Sequence, residues 1–155
     1  MAATTEAAVP AAERELTITR VLDAPRSLVF KVWTQPEHVV RWLGPRGFSA
    51  PFCDIELRPG GAWRACIRSA EGVDRWMQGV YREIVVPERL VYTFAWEEDG
   101  VPGHQTLVTV TFAEQDGRTL LTFHQAAFES VESRDSHHGG WSECFDRLAD
   151  YLASL

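Results

Sequence analysis

Only one stretch of the chain has the pattern of a long amphipathic helix, and it is the last. From Trp141, the residues Cys144, Phe145, Leu148, Tyr151, Leu152 and Leu155 recur at spacings of three and four. That is one face of a 3.6-residue period. Ser142, Asp146, Arg147, Asp150 and Ser154 fall on the opposite face. Burying the stripe contributes roughly 1.5–3 kcal/mol per large side chain, provided the rest of the chain supplies an apolar surface. Most of the rest reads as strand.

Residues 13–22 alternate, with Leu16 and Ile18 on one face. Two short helices follow. Pro25 suits the first turn of one, which carries Leu28, Val32 and Trp33 as a stripe, with Trp33 placed beneath the helix pair. Pro36 opens the second, and Gly44-Pro45 stops it. Strand patterns then cover 50–59, 62–69, 75–86, 89–98, 104–114 and 118–127, separated by Pro59-Gly60-Gly61, EGVD, Pro87-Glu88, Asp99-Gly100 and Gln115-Asp116-Gly117. Turn signals at such short intervals imply an antiparallel meander. The order is one strand, two short helices, six strands and one long helix. A seven-stranded antiparallel sheet must bury one face. A curved sheet closing on the C-terminal helix leaves a gap between them, and such gaps are natural ligand sites.

With 155 residues and 45% apolar content, the chain suits one domain over 13–155, preceded by a disordered tail over 1–12. The tail has no basic start and no long apolar run, so it is not a signal peptide. No stretch approaches the roughly 20 apolar residues that cross a bilayer. A formal charge of −7, with one lysine and scattered arginines, excludes the clustered basic face that nucleic-acid binding needs. Three cysteines without CxxC spacing point to a reducing, cytoplasmic compartment. Six tryptophans exceed what packing alone asks of a small domain and point to an aromatic-lined cavity.

The segments VLDAPRSLVFKVWTQPEHVVRWLGP, DIELRPGGAWR, GVYREIVVPERLVYTF, TLVTVTF and HHGGWSECFDRLADYL, in that order from about residue 16 to 155, carry a resemblance. The chain resembles the START-like (SRPBCC) superfamily. Within it, the chain resembles bacterial single-domain members of the family named after the activator of the heat-shock-protein-ninety ATPase. The resemblance implies an α+β helix-grip fold: a curved antiparallel seven-stranded sheet around a long C-terminal helix, with two short helices after the first strand. It is weak for function, because one scaffold of this kind hosts transporters, cyclases, hydrolases and binding modules.

The candidate cavity wall is aromatic. Trp63, Tyr92, Phe94, Trp96, Phe123, Trp141 and Phe145 can face the sheet–helix gap, with Trp63, Trp96 and Trp141 favoured and Trp42 as a lid from the second short helix. In RTLLTFHQ, the Phe-bearing parity places Leu121, Phe123 and Gln125 inward and His124 outward. The resemblance implies that a histidine often stands where this chain has Gln125. An amide cannot shuttle a proton at neutral pH, which weakens the case for general-base chemistry. His104 shares parity with Thr106, Val108 and Val110, which puts it at the pocket mouth. The pair His137-His138 reads as a loop and helix entry, with His138 at the pocket rim and Gly139-Gly140 letting Trp141 pack closely. A zinc site would need further ligands from His104, His124 or Cys144, and no spacing brings these together. Asp54 and Glu56 share a solvated outer strand face and are expected to pair with Arg64 and Arg68, where such pairs contribute little. Cys144 lies on the buried stripe, where a thiol is inert. No cofactor, no metal and no catalytic set is expected.

The pattern fits a binding protein for a small apolar or aromatic molecule. A cyclase- or dehydrase-like enzyme using the same cavity, with His104 or Gln125 as its polar group, is the main alternative. The family name suggests a third reading, a co-chaperone stimulating a chaperone ATPase. It is disfavoured because the eukaryotic activators carry a further N-terminal domain. A homodimer through exposed strands or helices is compatible with the pattern.

Overall fold

Alternating burial along successive strands builds the sheet expected from the sequence. The computed structural model describes residues 9–155. Strands β1 (Leu16–Leu22), β2 (Ser49–Ile55), β3 (Ala62–Arg68), β4 (Asp74–Val85), β5 (Arg89–Glu98), β7 (Thr106–Gln115) and β8 (Arg118–Ala126) form one curled antiparallel sheet, and a two-residue strand β6 (Val101–Pro102) pairs with β5. Their order is β1-β8-β7-β5-β4-β3-β2, so the first strand pairs with the last. Helices α1 (Arg26–Thr34) and α2 (Pro36–Val39) connect β1 to β2, and α3 (Val131–Ala153) closes the chain. This is the α+β helix-grip architecture.

The inward parity on β8 is as read: Leu121, Phe123 and Gln125 are fully buried. Phe123 touches Phe145 at 5.1 Å and Trp141 at 4.8 Å between ring centroids. Trp33 of α1 meets Phe145 at 5.6 Å and Trp42 at 4.8 Å. Offset and edge-on aromatic contacts of this kind add to the area they bury. Cys144, Phe145, Leu148 and Leu152 of α3 are buried as the stripe requires, whereas Leu155 lies beyond the helix end and is exposed.

Several expectations need correction. The helix α3 begins at Val131, ten residues before Trp141, so His137-His138-Gly139-Gly140 lies inside the helix rather than in a loop. Ser130 caps its start, accepting a hydrogen bond from Ser133 N at 3.0 Å, with Glu132 in the positive first turn. Arg147 is not simply on the polar face. Its Nη1 donates to the carbonyls of Leu43, Gly44 and Pro45 at 3.1, 2.8 and 3.3 Å, tying the loop after α2 to α3. Arg68 pairs with Asp74, its register partner on β4, and not with Asp54 or Glu56. Arg64 stands opposite Asp54 in the register, yet its guanidinium reaches across β4 to Glu97 on β5, which Gln78 also holds. The first eight positions of the expected tail lie outside the described residues. Residues 11 and 12 belong to a short 3₁₀ turn, Ala11–Arg14.

Among the described residues no helix is long and apolar enough to cross a membrane. Because Phe145 joins α1, α3 and β8, Phe145→Ala is expected to lower stability by about 3–5 kcal/mol. Leu155→Ala is expected to change it by less than about 0.5 kcal/mol. Urea unfolding of the two variants checks the contrast.

Candidate functional site

The concave side of β3–β5 and the first half of α3 do not meet fully. Between them lies a cavity of about 140 Å³, bounded by Leu43, Pro45, Phe48, Met77, Phe94, Trp96, His137, Gly140 and Trp141 among others. A smaller cavity of about 50 Å³ lies deeper, against Trp33, Trp42, Trp63 and Tyr92. The two share Leu43, Met77, Phe94 and Trp141 in their walls. The loop held by Arg147 supplies one rim, so the clamp on three carbonyls shapes the site directly.

Trp141 stands between the cavities and is fixed by a buried polar chain. Its Nε1 donates to Gln125 Oε1 at 2.8 Å, Gln125 Nε2 donates to Thr106 Oγ1 at 2.8 Å, and Thr106 Oγ1 donates to Phe94 O at 3.1 Å. Gln125 and Thr106 are both buried and satisfied, as buried polar groups must be. Gln125 therefore points inward but acts as a bracket for the indole and lines neither cavity.

Trp63 is held by an opening in the ladder between β4 and β5. Its Nε1 donates to Thr93 O at 3.2 Å, while Val80 N turns to Thr93 Oγ1 at 2.9 Å. Gly79 makes this passage possible. A Cβ there would fall inside the van der Waals radii of Thr93 O and Trp63 Nε1.

His137 closes the upper wall. Its Nε2 lies 2.8 Å from Trp96 Nε1, and its Nδ1 lies 2.8 Å from Ser133 O. An indole N–H only donates, so Nε2 carries the lone pair and Nδ1–H donates to the carbonyl. The ring in this latch is neutral. Burial holds its pKa below the usual 6.5, and the Arg75 charge acts in the same direction against the Ser133 carbonyl and Glu129.

Of the residues singled out in the sequence, Trp63, Trp96, Trp141, Tyr92 and Phe94 come together on the cavity walls. Phe123 and Phe145 pack behind Trp141 as core. Trp42 is no lid. It is 2% exposed, its Nε1 donates to Val32 O at 3.0 Å, and it floors the smaller cavity. Trp33 is packed beneath the helix pair as read, against Phe112 and Phe123 of the sheet, and its Nε1 donates to Tyr92 Oη at 3.4 Å, so it also borders the smaller cavity. His104 precedes β7, is exposed, and contacts Ala127 O at 2.6 Å in an outer polar recess. His138 is exposed, because the helical phase turns it outward and turns His137 in. His137 and Arg75 were not anticipated. A helix running from Ser130 would have exposed the first by phase, and the second follows from the inward parity of Met77 only at the strand end.

Burial pushes the thiols of Cys53 and Cys144 up to about 12, which keeps both protonated at neutral pH. Among the described residues no group of three or more His, Cys, Asp or Glu side chains is placed to hold a metal ion.

Comparison with known proteins places this geometry. Residues 23–153 match the family described as "Activator of Hsp90 ATPase homolog 1-like protein". The crystal structure of a protein from Nitrosomonas europaea is 26% identical with a TM-score of 0.80, covering 92% of this chain and 96% of its own. One from Chromobacterium violaceum is 27% identical with a TM-score of 0.80, covering 88% and 95%. One from Rhodobacter sphaeroides is 26% identical with a TM-score of 0.80, covering 95% and 97%. No curated protein matches the chain.

The latch has a pH consequence. The His137 pKa is depressed on folding. The unfolded chain therefore takes up a proton near 6.5 that the folded chain resists. The stability is fully present above that value and is lost as pH falls below it, toward the folded-state pKa. Lowering the pH from neutral to about 5 should lower the melting temperature and change Trp96 emission. His137→Phe should remove this part of the profile, and an unchanged profile in the variant would contradict the latch. Gly79→Ala should lower stability by about 1–3 kcal/mol through overpacking, read by urea unfolding.

Proposed function

Because the chain belongs to the Activator of Hsp90 ATPase homolog 1-like family, whose fold commonly binds hydrophobic ligands, we propose that it binds a small apolar or aromatic molecule between the sheet and α3. The cavity of about 140 Å³ beside Trp96 and Trp141 carries this reading. Protein interiors are packed to crystal density and leave few voids larger than a water molecule. A cavity of this size, walled by rings and reached past an exposed rim, is the shape of a ligand site. Its volume is close to the ~150 Å³ of an apolar cavity that takes up benzene. The ligand is therefore expected to present about one ring to the interior, with the cavity against Trp63 and Tyr92 taking a small substituent.

The polar groups near the cavity support binding more than reaction. Gln125 has its oxygen and its nitrogen engaged by Trp141 and Thr106. Both ring nitrogens of His137 are engaged by Trp96 and Ser133. Groups committed in this way orient the walls and are not free to move a proton.

Gly140 offers a clean test. It lies on the cavity wall, and a Cβ there meets only Pro45 Cγ, at 3.8 Å. Gly140→Leu fills the space and also favours the helix by roughly 1 kcal/mol. Wild-type protein should show a saturable shift in melting temperature and tryptophan emission with small aromatic compounds. Gly140→Leu should lose that response while melting no lower than wild type. A response that survives the filled cavity would place binding elsewhere.

A further inference from the structure

Among the described residues, one charged side chain lines the cavity of about 140 Å³, and it is Arg75. Its guanidinium lies over the Trp96 ring, with Cζ 4.7 Å from the centroid. It also borders the two polar recesses outside the cavity, so it sits where the apolar interior meets solvent. The carboxylates around it are largely committed. Asp74 is held by Arg68, with Nε–Oδ1 at 2.6 Å, and Glu97 by Arg64 and Gln78 at 2.7 and 2.8 Å. Among the described residues Arg75 itself forms no ion pair, although Asp99, Glu98 and Glu129 line the same recesses. A guanidinium stacked on an indole keeps its in-plane N–H donors free and presents the fork that matches a carboxylate.

We propose that the ligand is a small aromatic carboxylic acid, its ring between Phe94, Met77 and Trp141 and its carboxylate on Arg75 at the mouth. This rests on the binding reading above and narrows it to one chemical class. The arrangement puts each part of such a molecule in its own medium. The ring displaces water from the aromatic walls, and the carboxylate stays at the rim, where its desolvation is small and a bidentate partner waits. A cationic ligand would meet Arg75 as a like charge. A neutral ring would leave the guanidinium unused. The chain's net charge of −7 opposes long-range attraction of an anion, so recognition comes from contact at Arg75 rather than steering.

The experiment is calorimetric titration of the full chain with phenylacetate and with phenylacetamide, which have the same ring and nearly the same shape, followed by the same pair on Arg75→Gln. Phenylacetate is expected to bind wild type roughly tenfold to a hundredfold more tightly than the amide. Arg75→Gln should erase that preference, with the loss of affinity falling mainly on phenylacetate. Arg75 is exposed, so the variant should melt as wild type does, and circular dichroism confirms its fold. Equal wild-type affinities for acid and amide would overturn the carboxylate assignment and leave the cavity reading standing. A preference that persists in Arg75→Gln would also overturn it. Failure of both compounds to bind wild type would overturn the cavity reading together with it.

Discussion

The site follows from an uneven helix laid over an even sheet. The helix α3 runs for 23 residues, about 35 Å at 1.5 Å per residue, as one rigid piece. Its second half packs Cys144, Phe145, Leu148 and Leu152 against the sheet, and all four are buried. Its first half offers Ser136, His137 and Gly140 to the same concave surface. The bulky half sets the standoff, and the small-residue half cannot collapse to close it. The cavity is thus a consequence of where bulk stops along one helix.

Such a gap survives only if its walls are held. Trp141 stands at the transition between the two halves and is fixed by Gln125, which Thr106 fixes in turn. Trp96 is tied to His137 across the upper wall, and Trp63 is anchored through the ladder opening at Gly79. Arg147 holds the rim loop from the other side of α3. Each tie uses an indole N–H, an amide or a guanidinium that would carry a desolvation cost if buried alone. The polar groups of the interior therefore work mainly to keep large rings in place around a space.

The fold was legible because its signals are periodic. Alternation placed the seven main strands, and the parity of Phe123 correctly turned Gln125 inward. The two-residue β6 carries no such pattern. The first ten residues of α3 were not legible by period: VESRDSHHGG has no apolar stripe and contains two glycines, which disfavour helix by about 1 kcal/mol each. The one local signal for them is Ser130, whose side chain caps the helix in the structure. That miss reversed the two histidines, since a loop leaves phase open and a helix fixes His137 inward. The aromatic walls were anticipated as a set. The division of labour among them was not, because whether Phe145 is core or Trp96 is wall depends on standoff, which no local pattern records. Trp42 lies at the floor rather than the mouth for the same reason: how the helix pair sits over the sheet decides which ring faces the cavity.

Trp76 sits on the convex side of the sheet, against Phe52 and under Arg64, which makes it an internal reference for the central claim. The direct measurement is a ¹⁵N–¹H correlation spectrum of the six indole N–H groups during titration with a small aromatic probe such as phenylacetamide. Ligand occupancy of the cavity predicts saturable shifts for Trp141, Trp96 and Trp63, with Trp76 unmoved. No indole shift at saturating probe, or a shift confined to Trp76, would contradict a ligand site between the sheet and α3.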